Sequence, residues 1–177
     1  MFPLALLVPA LPLLGFIIIG LLNKRLPGIV AGILASTCMF VAFVASVMLF
    51  MRVSDGHSAT INIFEWIKMG DLSIPFSFLI DPLSSLMLLI VTGVGFLIHV
   101  YSVGYMKGDE GFARFFAYLN LFVFFMLLLV LGSNYAVMFV GWEGVGLCSY
   151  LLIGFWFKNT SYNNAAKKAF IMNRIGD

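Results

Sequence analysis

The stretch Gly141-Trp142-Glu143-Gly144-Val145-Gly146-Leu147-Cys148-Ser149-Tyr150-Leu151-Leu152-Ile153-Gly154-Phe155 decides what kind of protein this is. It sets one carboxylate, Glu143, inside an apolar run long enough to cross a bilayer. A charged residue at the centre of a membrane helix costs roughly 2.5–3.5 kcal/mol on insertion scales. Such a group persists only where it is paired, hydrated or doing chemistry. The segment therefore points to proton or ion handling inside a membrane.

Composition outside this stretch agrees. The chain is 62% hydrophobic and 10% charged, against about 25% charged in a soluble domain. A net charge of +2 makes no clustered basic face of the kind nucleic acids need, so no nucleic-acid partner is expected. Cys38 and Cys148 both lie in apolar segments and form neither a metal-ligand nor a disulfide pattern, so they read as small core hydrophobes. Met1-Phe2-Pro3 lacks a basic leader, and Lys24-Arg25 follow the first apolar run instead of preceding it. The first span is thus expected to stay in the mature protein.

Five complete apolar spans are legible, near residues 2–22, 29–51, 82–101, 115–131 and 135–157, with a sixth beginning near Asn164. Each complete span has about the 17–25 residues that a membrane helix requires. Asp81-Pro82 is a helix start, an N-cap followed by proline at the first helical position. Between Arg52 and Ile80 the pattern changes. Leu72, Ile74, Phe76 and Phe78 alternate with Ser73, Pro75 and Ser77, and Ile61 and Ile63 flank Asn62. With turn chemistry at Lys68-Met69-Gly70-Asp71, this predicts a β-hairpin. The expected fold is an all-α polytopic membrane protein with five complete transmembrane helices, the start of a sixth, and a short extracytoplasmic β-hairpin. Its parts are residues 1–51 (two helices), 52–80 (the hairpin) and 81–177 (the remaining helices).

Alternating topology puts Lys24, Arg25, Lys107, Arg114, Lys158, Lys167 and Lys168 on one face and only Arg52 and Lys68 on the other. The positive-inside rule makes the first face cytoplasmic (or matrix) and places the N-terminus and hairpin outside.

Glu143, Arg174 and Asp177 lie at membrane depth. Counted from Asn134, Glu143 is about 13–14 Å into its span, and Arg174 is about 15 Å from Asn164, at 1.5 Å per residue. Arg174 and Asp177 are spaced i, i+3 and can pair on one helix face, either simply neutralising each other or tuning a neighbouring carboxylate. The fifth span holds no basic residue, so any partner for Glu143 must come from another helix. Burial favours the neutral form of a carboxyl and a nearby cation favours the charged form, so a moving partner can switch its protonation. Gly141, Gly144 and Gly146 permit close helix approach beside it. His99 is a further candidate for proton transfer, although its place near the cytoplasmic end of the third span reads first as an interfacial, hydrogen-bonded histidine. No residue set suggests a metal site.

Together, Ile80-Asp81-Pro82-Leu83-Ser84, Val91 through Tyr101, Arg114-Phe115-Phe116-Ala117-Tyr118, Gly141 through Phe155, and Asn173-Arg174-Ile175-Gly176-Asp177 resemble the L subunit of bacterial NADH–quinone oxidoreductase, subunit 5 of mitochondrial complex I. The resemblance covers essentially the whole chain. It implies a proton-translocating, antiporter-like subunit of the respiratory chain, in which the glutamate at Glu143 pairs with a lysine on a later helix and the Arg and Asp of the sixth helix fall on Arg174 and Asp177. It implies that NADH oxidation and quinone reduction, with FMN and iron–sulfur clusters, belong to partner subunits. This chain has no cysteine cluster or glycine-rich nucleotide loop for them. The partners implied are the other membrane subunits of complex I, above all the neighbouring antiporter-like subunit, with the lipid bilayer and the remainder of the same subunit beyond residue 177, in the same or a separate chain. The membrane implied is the bacterial inner membrane or the mitochondrial one. Two alternatives remain at this point. One is the large subunit of a multi-subunit sodium/proton antiporter, or of a related membrane-bound hydrogenase or ferredoxin-dependent complex. The other is a non-transporting membrane anchor, which gives no reason for Glu143.

Overall fold

The computed structural model describes residues 2–23, 25–54 and 58–176. Along the chain run α1 (Phe2–Leu22), α2 (Gly28–Ser54), β1 (Ala59–Met69), β2 (Leu72–Ile80), α3 (Pro82–Tyr105), α4 (Phe112–Leu131), α5 (Tyr135–Ile153) and α6 (Thr160–Gly176). The helices α1 to α5 are long and apolar enough to cross a membrane, and the chain is a multi-pass membrane protein with a two-stranded sheet.

Local chemistry sets the helix ends. The Asp81 side chain accepts from Ser84 N at 2.7 Å, and Ser84 Oγ accepts from Asp81 N at 2.9 Å. This reciprocal cap fixes the start of α3 and is worth about 1 kcal/mol. At the far end of α5 the expected boundary near Phe157 is too late, because the helix ends at Ile153. Gly154 caps it, and Phe155 leaves the helical path to lie edge-on to Phe115, with ring centroids 5.4 Å apart and 3% exposed. Burying that ring is worth more than one further helical turn. Likewise α6 begins four residues before Asn164, because Asn159 Oδ1 accepts from Ser161 N at 3.0 Å and caps it.

The hairpin is antiparallel and closes through Gly70-Asp71, where Met69 faces Leu72. Gly70 has φ +59°, as the first central position of a type II′ turn demands. Alternation in β2 is as expected, but in β1 it is not. The register shifts between Asn62 and Phe64 and again between Glu65 and Ile67. Each bulge inserts one residue, so the apolar partners in β1 are Ile61, Phe64 and Ile67 against Phe78, Phe76 and Ile74. Ile63 has no partner opposite it in β2, but it is partly buried and packs on the same core as Ile61, with Asn62 exposed between them. Phe64 stacks on Phe76 at 5.1 Å and 7°.

The base of the hairpin is fastened to the α4–α5 turn. Ser133 N donates to Ser77 O at 3.1 Å, Asn134 Nδ2 donates to Pro75 O at 2.8 Å, and the Ser77 and Ser133 hydroxyls are hydrogen-bonded. At the opposite, basic end, Asp109 joins the α3–α4 turn to the α5–α6 turn. Its carboxylate accepts from the Trp156 indole at 2.9 Å and from Gly111 N at 2.7 Å. Those two bonds, the indole first, hold its carboxyl below the usual carboxylate range. The tie is thus fully present at neutral pH and lost only as pH falls through that lowered value.

Between these two ends α2 packs against α1 and α3, and α4 packs against α1, α2, α3 and α5. The core nearest the hairpin includes Phe78, Ile80, Leu127 and Leu131, and that nearest the basic end includes Ile19, Met106, Phe112 and Phe116. Beyond α4, α5 is followed by α6, which packs on α5.

Candidate functional site

Glu143 lies eight residues past Tyr135, so about 12 Å into α5 at 1.5 Å per residue. Asn134 starts that helix by accepting from Val137 N at 3.0 Å, and its amide also holds the hairpin, so the depth of Glu143 is fixed from outside the helix. The two flanking glycines then set its direction. A Cβ on Gly141 would run into the Leu129 backbone nitrogen, and a Cβ on Gly144 would run into the Phe125 ring. Both glycines therefore press α5 onto α4. Helical periodicity turns Glu143 off that face and toward α6. Gly146 shares the α6 side, since the nearest atom to a Cβ there is Asn173 Nδ2 at 3.8 Å. Of the three glycines expected to permit close approach, two do so.

The Glu143 carboxylate forms an ion pair with the Arg174 guanidinium of α6. Its side chain is 18% exposed and that of Arg174 is 44% exposed. The guanidinium also lies 4.9 Å from the centroid of the Phe170 ring, one turn earlier on α6. With α6 starting at Thr160, Arg174 is about 21 Å from the basic end, not 15 Å. The ion pair shows that α6 lies on α5 so that the two side chains meet. Asp177, the expected i, i+3 partner of Arg174, lies outside the described residues. A cavity of about 260 Å³ lies between α4, α5 and α6, walled by Trp142, Gly146 and Ser149 of α5, Asn173 of α6, and Met126 and Leu129 of α4. Its wall includes the Ser149 and Asn173 side chains, a hydroxyl and an amide able to bind water.

His99 is placed elsewhere. It is hydrogen-bonded as expected, but it is 0% exposed and packed inside the bundle, not at the surface. Its ring lies 6.1 Å from that of Phe116 on α4, and Nδ1 is 2.7 Å from Gly95 O. The reason is its helix face. Leu88, Thr92, Gly95, His99 and Ser102 form the buried stripe of α3, and the span runs on to Tyr105, past the expected end. Asn120, not among the residues expected from sequence, is also 0% exposed. Its signal was available, as an amide within the apolar run of the fourth span. Among the described residues no three His, Cys, Asp or Glu come together as a metal site.

Comparison with known proteins gives a consistent family. Residues 66–116 match the family described as NADH-Ubiquinone oxidoreductase (complex I), chain 5 N-terminus. Residues 132–177 match NADH:quinone oxidoreductase/Mrp antiporter, TM. NADH-quinone oxidoreductase subunit L of Rickettsia bellii is 42% identical over 174 residues, which are 98% of this chain and 27% of that protein. Subunit L of Mycobacterium tuberculosis is 49% identical over 175 residues, 97% of this chain and 28% of that one. NADH-ubiquinone oxidoreductase chain 5 of Metridium senile is 42% identical over 172 residues, 97% of this chain and 29% of that one. The chain thus spans less than a third of the length of these relatives. A chain of the membrane-bound sulfane sulfur reductase, an archaeal respiratory membrane complex, superposes with a TM-score of 0.83 over 97% of this chain and 34% of that one, and at 18% identity it shares the fold. By sequence and by fold, the chain belongs to the subunit L/chain 5 family of NADH-quinone oxidoreductase.

Proposed function

We propose that this chain forms part of a proton-translocating, antiporter-like subunit of respiratory complex I, and that Glu143 is its proton-carrying group. The observation that carries this reading is the Glu143–Arg174 ion pair between α5 and α6 at membrane depth. Paired with the guanidinium, the carboxylate stays charged. With the guanidinium withdrawn, burial favours the neutral acid. One O–H bond then forms on Glu143 with a proton delivered as hydronium from the aqueous phase, which leaves water behind. The return of Arg174 releases that proton, so the charge in the site stays balanced at each step. Asp177, three residues beyond Arg174, gives the guanidinium a second carboxylate to pair with while Glu143 is protonated. NADH oxidation and quinone reduction, with their flavin and iron–sulfur centres, are assigned to partner subunits. Arg174→Gln is expected to lower the protons moved per NADH oxidised in native membrane vesicles while oxidation continues. An unchanged ratio would remove Arg174 from the mechanism. The second family description also names the Mrp antiporter, so cation exchange is the second reading, and sodium-dependent translocation would favour it.

The orientation proposed is hairpin outside and basic end inside, following the surplus of Lys and Arg at the latter. Ser58 and Lys158 are both exposed, at opposite ends of the bundle. In intact cells, Ser58→Cys is expected to react with a membrane-impermeant maleimide and Lys158→Cys only after permeabilisation. Labelling of both from one side would overturn the topology.

A further inference from the structure

Two buried polar atoms in the α1–α4 bundle have no partner among the described residues, His99 Nε2 and Asn120 Oδ1. Such orphans are rare in native interiors. Both are acceptors, and the geometry says why. His99 Nδ1 is 2.7 Å from Gly95 O, a carbonyl that can only accept, so Nδ1 carries the hydrogen and Nε2 of the neutral ring is a bare lone pair. Asn120 Nδ2 donates to Phe116 O at 3.0 Å. Flipping that amide would set oxygen against oxygen, so Oδ1 is the free end. Two other buried hydroxyls of α3 satisfy themselves within their helix, Ser85 to Pro82 O at 3.0 Å and Thr92 to Leu88 O at 2.6 Å. The histidine cannot satisfy Nε2 in that way.

Packing places the two acceptors at one level. A Cβ on Gly95 would lie 3.0 Å from Met39 Cε of α2 and 3.7 Å from Val123 Cγ2 of α4. One turn further along α3 is His99. The same step along antiparallel α2 leads to Ala35, and along antiparallel α4 to Asn120. On α1, Asn120 Oδ1 is 3.0 Å from a Cβ built on Gly15. The layer is therefore Gly15, Ala35, His99 and Asn120, all buried. Two helices supply the polar groups, and the other two supply the smallest residues at the same height.

We propose that this layer is a binding site for one structural water, which donates one hydrogen to His99 Nε2 and the other to Asn120 Oδ1. Two acceptors cannot bond each other, and a water is the smallest molecule that donates twice. The site is separate from the Glu143–Arg174 pair. It lies among α1 to α4, whereas Glu143 faces α6.

The test uses the intact polypeptide in its membrane complex. A map that resolves ordered waters should show a peak about 2.7–3.2 Å from both atoms. His99→Leu, Asn120→Leu and the double variant give an independent reading through the thermal midpoint of the complex. Each single substitution leaves the other acceptor without its donor and should lower the midpoint by about 2–4 °C. The double variant removes both acceptors and should be no worse than the poorer single. Gly15→Ala keeps both polar groups but sets a methyl group 3.0 Å from Asn120 Oδ1, crowding the acceptor and the water bound to it, and it should lower the midpoint as a single does. No bridging peak, additive losses in the double variant, or an unchanged Gly15→Ala midpoint would each overturn the proposal.

Discussion

Glu143→Gln is expected to slow proton transfer through this site by about 10²- to 10⁴-fold, the range for removing a positioned acid or base, while NADH oxidation persists. Glutamine matches glutamate in volume and can still accept from the Arg174 guanidinium, but it cannot take up and release a proton at physiological pH. The change leaves Arg174 without its counter-charge. Exposed pairs contribute about 0–1 kcal/mol, and breaking a fully buried one costs about 3–5 kcal/mol. At membrane depth the exposed part of this pair is not screened by water, so the cost lies toward the upper figure, and the glutamine carbonyl and the Phe170 ring at 4.9 Å are what still face the guanidinium. The abundance of the variant complex in the membrane, read beside pumping, separates lost chemistry from lost assembly. Glu143→Asp retains an ionisable group one methylene shorter and should recover part of the flux. The measurement is the proton-to-electron ratio in vesicles carrying the variant complex. A ratio equal to that of the parent protein would show that Glu143 carries no proton.

The spans were legible because their composition is extreme over about 20 residues at a time, and no tertiary contact is needed to read that. The start of α3 was legible because Asp81-Pro82-Leu83-Ser84 contains its whole cap. The errors occur where a distant group decides. Phe155 leaves α5 because Phe115 and its neighbours have room for a ring. The alternation of Ile61 and Ile63 does not continue along β1, because two bulges reset its register against β2. The site divides in the same way. Glu143 stood out as a charge in an apolar run, and the absence of a basic residue in its span required a partner from another helix. Which partner was not legible. In sequence Arg174 is nearest to Asp177, and its reach to Glu143 depends on where α6 begins and how it lies on α5. His99 was visible as a residue but not as a buried one, because its exposure depends on α4 and on the small residues of α1 and α2.

Gly141→Ala should be the most damaging single methyl group that can be added near the site. The new Cβ would meet backbone, colliding with Leu129 N and lying 2.6 Å from its Cα and 2.9 Å from its Cβ. Backbone in the middle of α4 cannot rotate away, so α5 must retreat as a unit. Overpacking of this kind costs about 1–3 kcal/mol. The retreat also moves Glu143 relative to α6, and displacement of a catalytic group by about 1 Å can cost 10²-fold in rate. Gly144→Ala meets the Phe125 ring instead. A side chain can be trimmed, so adding Phe125→Leu should restore assembly to Gly144→Ala and leave Gly141→Ala unrepaired. Gly146→Ala meets only Asn173 Nδ2 at 3.8 Å, an ordinary contact, and alanine gains up to about 1 kcal/mol of helix propensity over glycine. The expected order of assembled complex, read as abundance and thermal midpoint, is Gly146→Ala at or above the parent, then Gly144→Ala, then Gly141→Ala. If Gly146→Ala were as damaging as Gly141→Ala, close packing of α5 on α4 would not be what these glycines provide, and the orientation of Glu143 toward α6 would need another cause.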